Sequence, residues 1–167
     1  KGLLTKSIET ITAETCLPVE IMHGHVMDLI EKDVDYIFLP FIVNGKQKEG
    51  NKTLNCNCPW IQTYPFMIKA ALRGKVDESK LLTPTLHFRF FERALLGEMT
   101  EFFNQKFGIS KTEIKKAIYK ADDVQTSFEK RLVNYGKEVL NSIPGNCRPV
   151  VLLGRPYNST DQHLNLG

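Results

Sequence analysis

Asp35-Tyr36-Ile37-Phe38-Leu39-Pro40 is the stretch whose reading decides the fold. A short apolar run, entered from an aspartate and closed by a proline, has the form of a buried strand. Upstream, Pro18 stands where proline prefers to open a helix. Val19, Met22, Val26, Leu29 and Ile30 then recur mostly at steps of three and four, which predicts a helix over 18–32 with one apolar face. The helix-then-strand pattern repeats downstream. Cys58-Pro59 opens a helix carrying Ile61, Tyr64, Ile68 and Leu72 on one side, with Pro65 as a kink point and Gly74 as its stop. Leu81 to Leu86 follows as a second strand, interrupted by Pro84 and so short or at an edge. Val150-Val151-Leu152-Leu153 reads as a third strand, apolar throughout and expected to be buried on both faces.

Strands alternating with helices predict an α/β fold, a mostly parallel sheet flanked by helices in Rossmann-like or flavodoxin-like units. A long helical segment, 88–142, lies between the second and third strands. Phe88, Phe91, Leu95, Met99, Phe102 and Phe103 mark one helix that closes at Gly108. Ser110-Lys111-Thr112-Glu113 is a capping box. It opens the run Ile114, Ile118, Ala121, Gln125, Phe128, Leu132, Tyr135, Val139, a helix over 111–142 of about 48 Å. Ala121-Asp122-Asp123 is its expected bend and Pro144-Gly145 its end. Residues 1–15 give a mixed signal, read as a short element plus loop. The polar stretch Asn44 to Asn57 exceeds the usual connection of about 2–6 residues, which marks a functional or mobile loop.

Length and composition limit the function classes. The 167 residues fit about one domain, with 42% hydrophobic and 25% charged residues, an ordinary globular balance. The abrupt ends lead us to expect a single truncated α/β domain, 1–167, of a larger protein. A net charge of +3 is too small to argue for nucleic acid. Lys111, Lys115, Lys116 and Lys120 are followed by Asp122, Asp123 and Glu129 and read as a solvated face. No apolar run is long enough to cross a membrane, and no secretory signal opens the chain. A cytoplasmic location is expected. No nucleophile–base constellation with recognisable spacing supports hydrolase chemistry.

The cysteines carry the chemical signal. Cys16-Leu17-Pro18 and Cys58-Pro59 each set a cysteine just before a proline that begins a helix. The first turn of a helix has free N–H groups and a partial positive charge, which stabilise a thiolate or an anionic cluster. Two such sites, from successive units of one sheet, would face the crevice at the carboxyl ends of the strands. An iron–sulfur cluster held by thiolates is anionic and suits it. Zinc also accepts thiolates, but Cys56-Asn57-Cys58 has a one-residue gap where a zinc ribbon has two. Buried, purely structural cysteines remain the plain alternative. Cys56 either assists Cys58 or is a neighbour, and Cys147 reads as a bystander. His23 and His25, on a helix, point about 200° apart and cannot share one ion, so packing and hydrogen bonding are expected of them. Gly154-Arg155-Pro156-Tyr157 follows the third strand. Arg155 there could hold an anion, with Tyr157 bordering the same crevice, or the segment is a structural turn.

Four segments resemble one family. Cys16-Leu-Pro-Val-Glu-Ile-Met-His23-Gly24-His25, Val34-Asp35-Tyr-Ile-Phe-Leu-Pro40, Cys58-Pro59-Trp60-Ile61-Gln62 and Val150-Val-Leu-Leu-Gly154-Arg155-Pro156-Tyr157-Asn158 resemble an uncharacterised domain of CoA-substrate-specific enzyme activases. These are relatives of the activators of 2-hydroxyacyl-CoA dehydratases and benzoyl-CoA reductases. The resemblance spans residues 14 to 167. It implies likeness to dehydratase subunits that hold a [4Fe–4S] cluster with three cysteines, with Cys16 and Cys58 as two ligands and Cys56 as a substitute. The third ligand is expected elsewhere, since Cys147 does not match. The resemblance further implies an anaerobic electron-transfer or reductase-like role, an ATP-binding activator module as partner and a CoA thioester as acceptor. No ATP-binding signature is visible in these residues. A non-catalytic scaffold module and a CoA- or small-molecule-binding domain using the Gly154 turn are the rival readings. Homo-oligomer formation stays open.

Overall fold

Ile37–Phe38 (β1) and Phe41–Asn44 (β2) run parallel to Leu81–Leu82 (β3) and Thr85–His87 (β4). Ile37 pairs with Leu81 and Phe38 with Leu82; Phe41 pairs with Thr85 and Ile42 with Leu86. The same offset holds on both sides of the prolines, so Pro40 falls opposite Pro84. Neither proline can donate an N–H, which divides one two-stranded parallel ribbon into two short pairs. Leu39 N–H to Leu82 O (2.7 Å) and Phe41 N–H to Pro84 O (2.8 Å) bridge the gap. Pro84 interrupts its strand as expected. Pro40 was expected to end the first strand, and instead the strand resumes at Phe41. A proline costs the ladder one donor and leaves its neighbours free to pair.

The computed structural model describes residues 2–47 and 55–162. They fall into two compact units, Lys1–Tyr119 and Lys120–Gly167. In the first unit, Leu17–Glu31 (α2) and Pro59–Ala71 (α3) bury their apolar faces with the strands. The core joins Val19 and Val26, Ile37 and Leu39, Tyr64, Ile68 and Leu72, and Leu81. Burying each aliphatic side chain contributes about 1.5–3 kcal/mol. Gly74, at φ +75°, turns the chain after α3 as expected of a helix stop. Pro65 sits inside α3 and is buried.

The ambiguous start of the chain is a short helix, Leu3–Ile8 (α1), crossing α2. After β4 the chain makes a 3₁₀ turn, Phe88–Phe90, and a π turn, Phe91–Leu95, before regular helix begins at Leu96–Phe107 (α4). A single helix from Phe88 was expected. Its first donors are taken elsewhere: His87 N–H by Glu98 Oε2 at 3.0 Å and Arg89 N–H by Asn44 Oδ1 at 2.8 Å. Gly108 closes α4 at φ +67°. Lys111–Asn141 (α5) runs unbroken through Ala121-Asp122-Asp123. Its capping box is formed: Glu113 N–H donates to Ser110 Oγ at 3.3 Å and Ser110 N–H to Glu113 Oε2 at 3.2 Å. The Ser110 hydroxyl, which donates to Glu113 Oε2 at 2.6 Å, and then the Ser110 N–H hold the Glu113 carboxyl below its ordinary pKa.

The second unit holds the rest of α5 and Pro156–Thr160 (α6). Val150–Leu153 corrects an expectation. These residues pair with no strand among the described residues, and they are 72–93% exposed. An apolar run sets a preference for strand, but a strand exists only where another offers its backbone.

Candidate functional site

α2 precedes β1 and α3 precedes β3. In α/β units of this order the start of a helix lies toward the carboxyl ends of the parallel strands. Cys16 is the N-cap of α2 and Cys58 the N-cap of α3. Both helices carry proline in their first turn and neither has a side-chain cap; in α2 the Val19 N–H is taken by the Cys16 carbonyl at 2.9 Å. Deeper in, His23 of α2 meets Tyr64 of α3 edge to face, ring centres 5.6 Å apart. Along the axes that contact lies about 10 Å from the first cap and about 9 Å from the second.

The two thiols differ in setting. Cys16 is partly buried and packs against the core, whereas Cys58 is exposed. Cys56 is exposed too, and its backbone pairs with Asn44 at the end of β2. Asn57, between them, donates its backbone N–H to Val43 O at 3.0 Å and its side-chain amide to Ile42 O at 3.1 Å. Gln62 returns a side-chain bond to Asn57 O at 2.6 Å. These bonds pin the Cys56-Asn57-Cys58 turn to the carboxyl end of β2. Much of the long loop, 48–54, lies outside the described residues; its far end, Asn55, donates to Lys46 O and takes φ +49°.

The histidines separate as helical spacing required. His23 is buried, with Nδ1 lacking a partner among the described residues, and His25 is exposed. Burial holds His23 below the ordinary imidazole pKa, against a smaller opposing pull from Glu20. Burial also raises the Tyr64 phenol far above its ordinary pKa. Cys147 is exposed, its nearest polar partner Asn146 Oδ1 at 3.9 Å. In the second unit Arg155 Nη1 donates to Tyr157 OH at 3.1 Å, at the start of α6.

Among the described residues no three His, Cys, Asp or Glu side chains gather closely enough to hold a metal ion. An open groove of about 400 Å³ lies between α4 and the start of α5, with Glu92, Arg93, Lys111 and Lys115 on its walls. Sequence reasoning missed Asn44, Asn57, Arg89 and the His87–Glu98 pair, in which Glu98 takes both the backbone N–H and Nδ1 of His87. For Asn44, His87 and Arg89 the position at or just after the end of an apolar strand was the available signal.

The family model for the CoA enzyme activase uncharacterised domain matches residues 1–167. The chain belongs to this family. Its segments around Cys16, Pro40, Cys58 and Gly154 thus lie in an activase domain, as the resemblance implied. No curated protein and no solved structure matches the activase domain. No helix among its described residues is long and apolar enough to cross a membrane.

Proposed function

We propose that this activase domain supplies Cys16 and Cys58 as thiolate ligands to an iron–sulfur cluster, of the [4Fe–4S] type, and serves electron transfer in the reducing cytoplasm. The observation that supports the reading is that both thiols are N-caps of helices that precede strands of the parallel ribbon. The donor chemistry fits such a group: soft sulfur ligands beside helix N-termini that favour negative charge. The fit is that of a half-site, since two thiols leave positions for ligands from outside this pair, with Cys56 as a substitute. When bound, the cluster supplies one-electron redox chemistry. The chain's part is to hold two sulfurs at fixed separation: Cys16 through core packing, Cys58 through the Asn57 clamp. An ATP-binding activator module is the proposed electron donor and a CoA thioester the acceptor. Arg155 and Tyr157 are the proposed contacts to that ligand.

Anaerobic reconstitution with iron and sulfide tests this in the full-length parent protein. A broad absorption near about 400 nm, lost in Cys16→Ala and Cys58→Ala, is the expected result. A spectrum unchanged by both substitutions rejects the assignment.

A scaffold role is the second reading, favoured by the exposure of Phe128, Leu132, Tyr135 and Val139 along α5. Full activity of the parent protein after double replacement of Cys16 and Cys58 by alanine would select it.

A further inference from the structure

We infer that Arg89 is the anchor of an oxyanion site, one that takes the phosphate or carboxylate group of a small molecule, at the carboxyl end of the β2–β4 pair. Arg89 lies two residues beyond His87, the last residue of β4. Its backbone is fixed by the bond from its N–H to Asn44 Oδ1, and Asn44 is itself the last residue of β2. The guanidinium lies over the Phe90 ring, 5.5 Å from its centre. Nε and Nη1 are both shielded from solvent and have no hydrogen-bond partner among the described residues. Arg89 also makes none of the ion pairs found among those residues.

That combination is costly as it stands. Guanidinium stays charged at every working pH, so it cannot relieve burial by losing a proton. A shielded N–H without an acceptor is destabilising, and more so on a charged group. Arg89 as a residue is partly buried, and these two nitrogens are its shielded ones, with the backbone anchored and the guanidinium over the Phe90 ring. An oxyanion relieves it, by offering several acceptor oxygens and a compensating charge. The location agrees, because ligands of open parallel sheets collect beyond the carboxyl ends of the strands. The neighbouring carboxylate, Glu98, is occupied by His87. The inference does not use the cysteines and stands apart from the cluster reading.

The metal-free chain suffices for the test. The Arg89 Nε–H resonance is followed by ¹⁵N NMR, assigned by its loss in Arg89→Lys, while inorganic phosphate or acetate is added. Sodium chloride at matched ionic strength is the control. The expected result is a saturable shift with phosphate or acetate that chloride does not reproduce. Calorimetry should show binding weakened roughly tenfold or more in Arg89→Gln and unchanged in Arg73→Gln, an exposed arginine used as control. Shifts no larger than those of chloride for both anions overturn the site, and so does equal affinity in Arg89→Gln. Because no cluster is present, either failure leaves the cluster assignment untouched.

Discussion

Ser7 of α1 and Gly24 of α2 are in direct contact: the Gly24 N–H lies 3.2 Å from Ser7 Oγ, which in turn donates to Leu3 O at 3.0 Å. A Cβ at position 24 would sit 2.5 Å from Ser7 Oγ and 2.4 Å from Leu3 O. The glycine between the two histidines is therefore a helix-crossing residue, while His23 is buried against Tyr64 of α3 and His25 is exposed.

Gly24→Ala must push α1 off α2, because one of the obstructing atoms is backbone. We expect a loss of about 2 kcal/mol, within the range for overpacking a close contact. Gly97→Ala, where an added Cβ meets nothing within 4 Å, should instead stabilise by about 0.5–1 kcal/mol through helix propensity. Urea unfolding of both variants checks the pair. Equal effects would mean that the α1–α2 contact is not formed in solution.

Lys6 is nearly enclosed and is held by two carboxylates, Asp28 at 2.8 Å and Glu31 at 2.7 Å, while Lys32 bonds the other oxygen of Asp28 at 2.7 Å. Hydrogen bonds from Lys32 and Lys6 hold the Asp28 carboxyl down at about 2, below its ordinary 3.8, and the carboxylates raise Lys6. For Asp28, stability is present above the unfolded value of 3.8 and disappears as pH falls toward about 2. Asp28→Asn should lower the Tm at pH 7, and the difference from the parent should shrink as pH falls through that window. A difference independent of pH would place the effect in packing, not in charge.

His23 gives a pH dependence in a different window. Its pKa is lowered by burial, so the folded chain keeps it neutral where the unfolded chain already takes up a proton. Stability contributed by the neutral form is complete above about 6.5 and declines as pH falls below that value. His23→Gln should flatten this part of the profile, read as the midpoint of urea unfolding between about pH 7.5 and 5.5. Replacing exposed His25 by glutamine should leave it unchanged.

What the sequence made legible follows from which interactions are local. Helix starts at Pro18 and Pro59, the stops at Gly74 and Gly108, and the Ser110–Glu113 capping box depend on near neighbours, and each stands where the pattern put it. The resumption of strand at Phe41 was hidden because Pro40 reads as a terminator until a second proline is known to lie opposite. Val150–Leu153 failed for the converse reason: its apolar pattern is local, but the pairing that makes a strand is not. The helix caps at Cys16 and Cys58 were legible, and the Asn57 clamp and the anchored Arg89 were not. Those depend on carbonyls and amides more than ten residues away in the chain.

The two thiols should separate cleanly when their structural and chemical roles are measured apart. Cys16 packs on the core beside Val19, so Cys16→Ser places a hydroxyl in a largely apolar setting and should destabilise the metal-free chain by about 1 kcal/mol. Cys58 is exposed and its cap position tolerates serine well, so Cys58→Ser should leave stability within about 0.5 kcal/mol or improve it slightly. Iron and sulfide uptake by the full-length protein should ignore this difference and fall in both variants, because the proposed cluster takes both thiolates as ligands. If uptake instead tracks stability, falling in Cys16→Ser and persisting in Cys58→Ser, the shared site between the two helix starts is wrong. The cysteine at position 16 would then be a core residue.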